Sequence, residues 1–123
     1  MRDHMEDAVS DLHGWNDDPP TAYDVWREAG AFSDATFGPP SFRGPIGALK
    51  HLAKEAAEAQ AAPGDIVEYA DCFLLVLDAT RRAGFALEDL MRAALAKTER
   101  NKLRDWPDWR SSDPETPLEH VRK

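Results

Sequence analysis

The chain has 123 residues, 42% of them hydrophobic and 31% charged, with a formal net charge of −8. That length suits one domain around one core, and the acidic balance argues against a general nucleic-acid or membrane-surface binder, which needs a basic face. The one cysteine, Cys72, excludes an intramolecular disulfide and a cysteine-based zinc site, while the lack of a signal peptide or a long apolar run leads us to expect a cytosolic protein.

Residues 1–20 are polar and end in Asn16-Asp17-Asp18-Pro19-Pro20, which reads as a short helix and turn or as a loose arm. Thr21 is placed to N-cap a helix reaching about Ala29, with Gly30 beyond it. The stretch Phe32 to Pro45 is rich in Gly, Pro and Phe and predicts an ordered loop with buried aromatics. A second helix is expected from Ile46 to Gln60, with Ile46, Leu49, Leu52, Ala53 and Ala56 as its apolar stripe. Pro63-Gly64 turns the chain, and Asp65 is the expected N-cap of a third helix reaching Ala83 and stopped by Gly84. The run Cys72-Phe73-Leu74-Leu75-Val76-Leu77 makes that helix apolar nearly all round, so it should be the most buried element, with Cys72 a small buried hydrophobe. A fourth helix runs from Leu87 to about Arg104, and the tail after Trp106-Pro107 is expected to be irregular. No segment alternates with period two over a useful length. The fold class is therefore all-α: a single domain over 1–123 forming a compact helical bundle, with a polar segment 1–20 and a tail 105–123. Its uncovered apolar faces call for completion by a homodimer or higher oligomer.

Four carboxylates stand in two matched pairs. Glu55-x-x-Glu58 and Glu68-x-x-Asp71 each have i,i+3 spacing, which puts both members of a pair on one helical face. Two antiparallel helices would direct all four toward one point. Neighbouring anions in a partly dry site need cations, and hard oxygen ligands suit Mg²⁺ or Mn²⁺. Each residue has a plainer reading as well. Asp65-x-x-Glu68 is also a capping box. Glu55, Glu58 and His51, opposite Leu49 and Ala56, also describe a solvated face beside Lys54. Asp71 borders the most apolar run, where a carboxylate needs a partner or a metal. Asp78 is expected to pair with Arg82 at i+4.

Lys97, Asn101 and Arg104 have i, i+4, i+7 spacing, and Lys97 and Asn101 fall close to the line of Leu90 and Ala94, so the inward stripe of the fourth helix turns polar and cationic. They are either a frayed end favoured by the helix dipole or donors to phosphate oxygens; coincidence with the acidic pairs favours the second. His4, His13, His51 and His120 show no metal-ligand spacing. Phe37, Phe42, Ile46 and Trp15 are expected in the core rather than around a base. No Gly-rich phosphate loop or hydrolase nucleophile motif is present.

The order E-x-x-E, short spacer, E-x-x-D, Lys97-x-x-x-Asn101 resembles the MazG-like all-α nucleoside triphosphate pyrophosphohydrolases. The segment Arg43 to Glu58, with Arg104-Asp105-Trp106-Pro107 and Glu119-His120-Val121, is similar to their dATP/dGTP diphosphohydrolase branch. That branch is common in bacteriophages and includes the MazZ proteins of phages carrying 2-aminoadenine. The resemblance implies dimers or dimers of dimers in the host cytoplasm, with two or more Mg²⁺ or Mn²⁺ ions per site. It implies cleavage of dGTP or dATP to monophosphate and pyrophosphate. By position, Glu55, Glu58, Glu68 and Asp71 would be the metal ligands and catalytic carboxylates. Lys97 and Asn101 would hold phosphate oxygens; Arg43, His51 and Arg104 are further substrate-binding candidates. Two other readings stay open: an acidic helical module that binds a nucleotide or protein without turnover, and the same enzyme acting on a pyrimidine substrate.

Overall fold

The computed structural model describes residues 18–122 as four α-helices and a 3-10 turn, with no strand among them. The all-α expectation holds. Helix α1 spans Ala22–Phe37, α2 Ile46–Ala61, α3 Ile66–Arg82 and α4 Leu87–Lys102; the 3-10 turn is Trp109–Ser111. His4, His13 and Trp15 lie outside the described residues. None of the helices is long and apolar enough to cross a membrane.

Thr21 opens α1 with a reciprocal capping box: its hydroxyl accepts from the Asp24 N–H, and the Asp24 carboxylate accepts from the Thr21 N–H. The helix does not stop at Gly30. Gly30 is buried, and a Cβ there would lie 3.0 Å from Arg81 Cδ and Nε. The residue is glycine to admit a guanidinium stem from α3, and α1 continues through Phe32 to Gly38, whose φ of 96° ends it before Pro39-Pro40. The expected loop therefore shrinks to 38–45. Its aromatics are not in the core either: Phe37, Phe42 and Ile46 are all exposed, at 51%, 77% and 61%.

The α2–α3 hairpin is the main packing unit and forms as the sequence predicts. Ala62 to Asp65 make a tight turn, with Asp65 N–H donating to Ala62 O and Tyr69 Oη to Pro63 O. Asp65 Oδ1 caps α3 through the Val67 N–H. At its other end, Gly84 N–H donates to Arg81 O and Phe85 N–H to Thr80 O, a Schellman ending with Gly84 at φ 94°.

Among the described residues the core is small: Leu77, Ala79 and Leu87 are the buried apolar side chains, with Ser33 and Arg82 as buried polar ones. Helix α3 supplies most of it, yet Ile66, Tyr69 and Phe73 stay exposed along one i, i+3, i+7 stripe, and Cys72 is only half-buried. The Asp78–Arg82 pair is present at 2.8 Å and is larger than the i+4 spacing suggested. Asp78 also accepts from Ser33 Oγ and Arg81 Nη2, while Arg82 donates to Arg43 O and to Ser33 O and Oγ. This network ties α1, the 38–45 loop and α3 together.

The chain divides after Leu87 into two compact units. The second holds the rest of α4 and the tail. Its helix is largely exposed, Leu95 at 70% among others. The tail is ordered: Asp108 caps the 3-10 turn through the Arg110 N–H, and Val121 N–H returns to donate to Asp105 O at 2.7 Å.

Candidate metal and phosphate site

Helices α2 and α3 carry the acidic pairs on facing sides. A carboxylate oxygen from each of Glu55, Glu58 and Glu68 lies within 4.8 Å of the other two. The acidic face of α2 thus looks across at α3, as the functional reading required, and Leu49 and Ala53 are left exposed instead. Glu55 is half-buried and fixed by His51 Nε2 at 2.9 Å from its Oε1. Glu68 is not the reciprocal member of a cap: Asp65 is satisfied by Val67, and Glu68 Oε2 is buried with no hydrogen-bond partner.

The electrostatics match the crowding. A hydrogen bond to Glu55, then its charge, burial and the Glu68 charge, hold the Glu58 carboxyl above the usual range. Burial, followed by the charges of Asp71, Asp65 and Glu55, raises Glu68. Burial and the Glu55 charge raise Asp71, with His51 opposing. Asp71 stands outside the close trio but within its field. Groups that are harder to ionise because they sit together are poised for a cation.

Beside this cluster a cleft of about 190 Å³ opens between the end of α1, the 38–45 loop, α2 and α3, lined in part by Phe37, Arg43, Ala48, His51, Leu75 and Asp78. His51 borders both cleft and carboxylates. Arg43 is at the cleft, but its Nε already donates to Phe37 O at 3.0 Å. Asp78 and Arg82, read from sequence only as an ion pair, also line it.

Lys97, Asn101 and Arg104 belong to the second unit. Asn101 Oδ1 accepts from Arg104 Nη1 at 3.3 Å, and Asn101 O accepts from Trp106 Nε1 at 2.7 Å.

The model of the dATP/dGTP pyrophosphohydrolase family matches residues 25–123. The chain belongs to that family. The resemblance read from the acidic pairs is thereby borne out. Among solved structures, a MazG-like pyrophosphohydrolase of cyanophage S-2L, bound to dGDP and three catalytic Mn²⁺ ions per active site, is similar with a TM-score of 0.65 and 26% identity. The match covers 85% of this chain and all of that one. The Eaa protein of Salmonella phage P22 is 45% identical over 90 residues, or 73% of this chain. This family member spans only 27% of the Eaa protein's length.

Proposed function

We propose that the protein hydrolyses purine deoxynucleoside triphosphates, dGTP or dATP, to the monophosphate and pyrophosphate with Mg²⁺ or Mn²⁺. The observation that carries this is the Glu55–Glu58–Glu68 trio, with an unpartnered buried oxygen on Glu68. All-oxygen, anionic donors fit hard divalent ions. The Mn²⁺ ions of the S-2L neighbour and the family match support the same reading.

In this proposal Glu55, Glu58, Glu68 and Asp71 hold the ions. Bound divalent ions supply charge neutralisation on the phosphates and acidify the attacking water. Glu55, held in one orientation by His51, aligns that water with the α-phosphorus and takes its proton. The α–β bridging bond breaks and pyrophosphate leaves. By the family resemblance, Lys97, Asn101 and Arg104 are the groups that would bind phosphate oxygens, and Arg43, which lines the cleft, is a further substrate-binding candidate. At about 190 Å³ the cleft is below the ~300–1,000 Å³ of sites that enclose a drug-sized ligand. It suits the base or sugar alone, with the phosphates outside it near the carboxylates.

The proposal includes a homodimer or homotetramer. The exposed stripe Ile66, Tyr69, Phe73 and the exposed Ile46 and Leu49 are apolar surface that a second copy would cover. Phage relatives support a role in remodelling a deoxynucleotide pool in the host cytoplasm, extending to dGMP supply for 2-aminoadenine synthesis.

The test is a panel of dNTPs and NTPs with Mn²⁺, products separated by ion exchange. Monophosphate and pyrophosphate from dGTP or dATP, at least about tenfold faster than from dCTP or TTP, is expected; one discriminating contact is worth that much. Equal rates on pyrimidines would remove the purine assignment, and no turnover would leave a binding module.

A further inference from the structure

The tail returns to the end of α4 and brings new charge with it. Val121 N–H donates to Asp105 O at 2.7 Å, and the His120 ring meets the edge of Trp106 at 6.0 Å and 74°. Trp106 is itself anchored by Nε1 on Asn101 O. The return sets the half-buried His120 among Lys97, Arg104 and Arg122. Burial first, then the charges of Arg104, Arg122 and Lys97, depress the His120 pKa, with Glu119 pulling weakly the other way. None of those three cations forms an ion pair among the described residues. In a chain of net charge −8, three cations without an ion-pair partner among the described residues and opposed at His120 by Glu119 alone are an unusual arrangement. Asn101 Oδ1 accepts from Arg104 Nη1, which leaves the amide N–H groups as what the Asn101 side chain can donate.

We propose that this return is a diphosphate clasp, in which His120 and Arg122 from the tail complete a site with Lys97, Asn101 and Arg104. The identity of the anion rests on the pyrophosphohydrolase reading; the presence of an anion site does not. Arg and Lys supply charge-assisted bonds to phosphate oxygens. His120, whose proton is disfavoured first by burial and then by its cationic neighbours, donates from one ring nitrogen. A diphosphate cancels the repulsion from those neighbours, so binding draws a proton onto His120 and tightens below neutral pH. The same chemistry serves the β,γ-phosphates of a bound triphosphate or the free pyrophosphate product.

The experiment titrates the intact protein, in chelator, with inorganic pyrophosphate, and follows the ring resonances of His120 by NMR, assigned with H120Q. The apparent pKa of His120 should rise by about one unit, and R122Q and K97Q should each weaken binding roughly tenfold, the worth of one charge-assisted bond. No movement of His120, or unchanged affinity in R122Q, would overturn the clasp. Kinetics with Mn²⁺ separate the two sources. A raised KM in H120Q and R122Q assigns the site to the substrate's terminal phosphates; a raised pyrophosphate inhibition constant with unchanged KM assigns it to the product. If neither moves while turnover persists, the clasp is wrong and the hydrolase stands. If pyrophosphate shifts His120 but no nucleotide is cleaved, the clasp stands and the hydrolase reading falls.

Discussion

Arg82→Met should be the most damaging single change outside the carboxylate site. The Arg82 side chain is 1% exposed and makes four hydrogen bonds: Nε to Asp78 Oδ2 at 2.8 Å, Nη1 to Arg43 O at 2.9 Å, and Nη2 to Ser33 Oγ at 2.7 Å and Ser33 O at 3.3 Å. Removing one partner of a buried ion pair costs about 3–5 kcal/mol. Asp78 would keep Arg81 and Ser33 as donors, so the lower end, about 3 kcal/mol, applies. For a chain of this size each kcal/mol moves Tm by about 4 °C, which gives a drop of roughly 12 °C. Thermal and urea unfolding followed by circular dichroism measure it. Lysine at 82 should recover little, because an ammonium cannot span three partners as the fork does. The double variant Asp78→Leu with Arg82→Met should be less damaged than Arg82→Met alone, since no carboxylate is then left short of a partner. A single variant within about 1 kcal/mol of the wild type would refute the argument, because a satisfied buried guanidinium cannot be lost that cheaply.

The raised carboxyls predict a pH effect of a definite sign. Glu58, Glu68 and Asp71 hold protons more tightly folded than unfolded, so their unfavourable contribution is absent below the ordinary carboxylate pKa of about 4 and grows as pH rises through the raised folded values. Metal-free Glu68→Gln should therefore melt above wild type at pH 7, with the difference vanishing near pH 4 and reversing in Mn²⁺; the same difference at both pH values would contradict this. Asp78 runs the other way: burial raises it, but bonds from Arg82, Arg81 and Ser33 together outweigh burial and hold it low, so its stabilisation is lost as acid passes through that low value. Asp71→Asn should abolish most pyrophosphate release with unchanged helix content, and full activity would remove Asp71 from the site. Gly30→Val should destabilise by about 1–2 kcal/mol in urea titrations, because the new methyls displace Arg81.

The α2–α3 hairpin and its acidic pairs were legible because every signal was local: Pro63-Gly64 to turn, Asp65 to cap, Gly84 to stop and i,i+3 carboxylates between. Gly30 misled for the opposite reason. Its signal for a helix end is local, but the Arg81 stem that requires a missing Cβ comes from α3, 51 positions along the chain. Asp78–Arg82 was readable at i+4, whereas Ser33 and the Arg43 carbonyl, 49 and 39 positions from Arg82, carry no sequence pattern. Hydrophobicity alone points Phe37, Phe42 and Ile46 to the core, yet they lie exposed, because an apolar side chain need not be buried and the sequence does not say which faces the packing covers. The tail's composition of Pro, Ser and acid gave no sign that Val121 would pair with Asp105 and deliver His120 to the end of α4.

The metal role of the facing carboxylates is tested by pyrophosphate release from dGTP and dATP, measured for the wild-type protein in Mn²⁺ and in chelator, and for Glu68→Gln in Mn²⁺. Release with monophosphate as the other product is expected in the first case alone, with Glu68→Gln folded and inactive. Release that persists in chelator, or in folded Glu68→Gln at the wild-type rate, would contradict the claim that the facing carboxylates of α2 and α3 hold the catalytic ions.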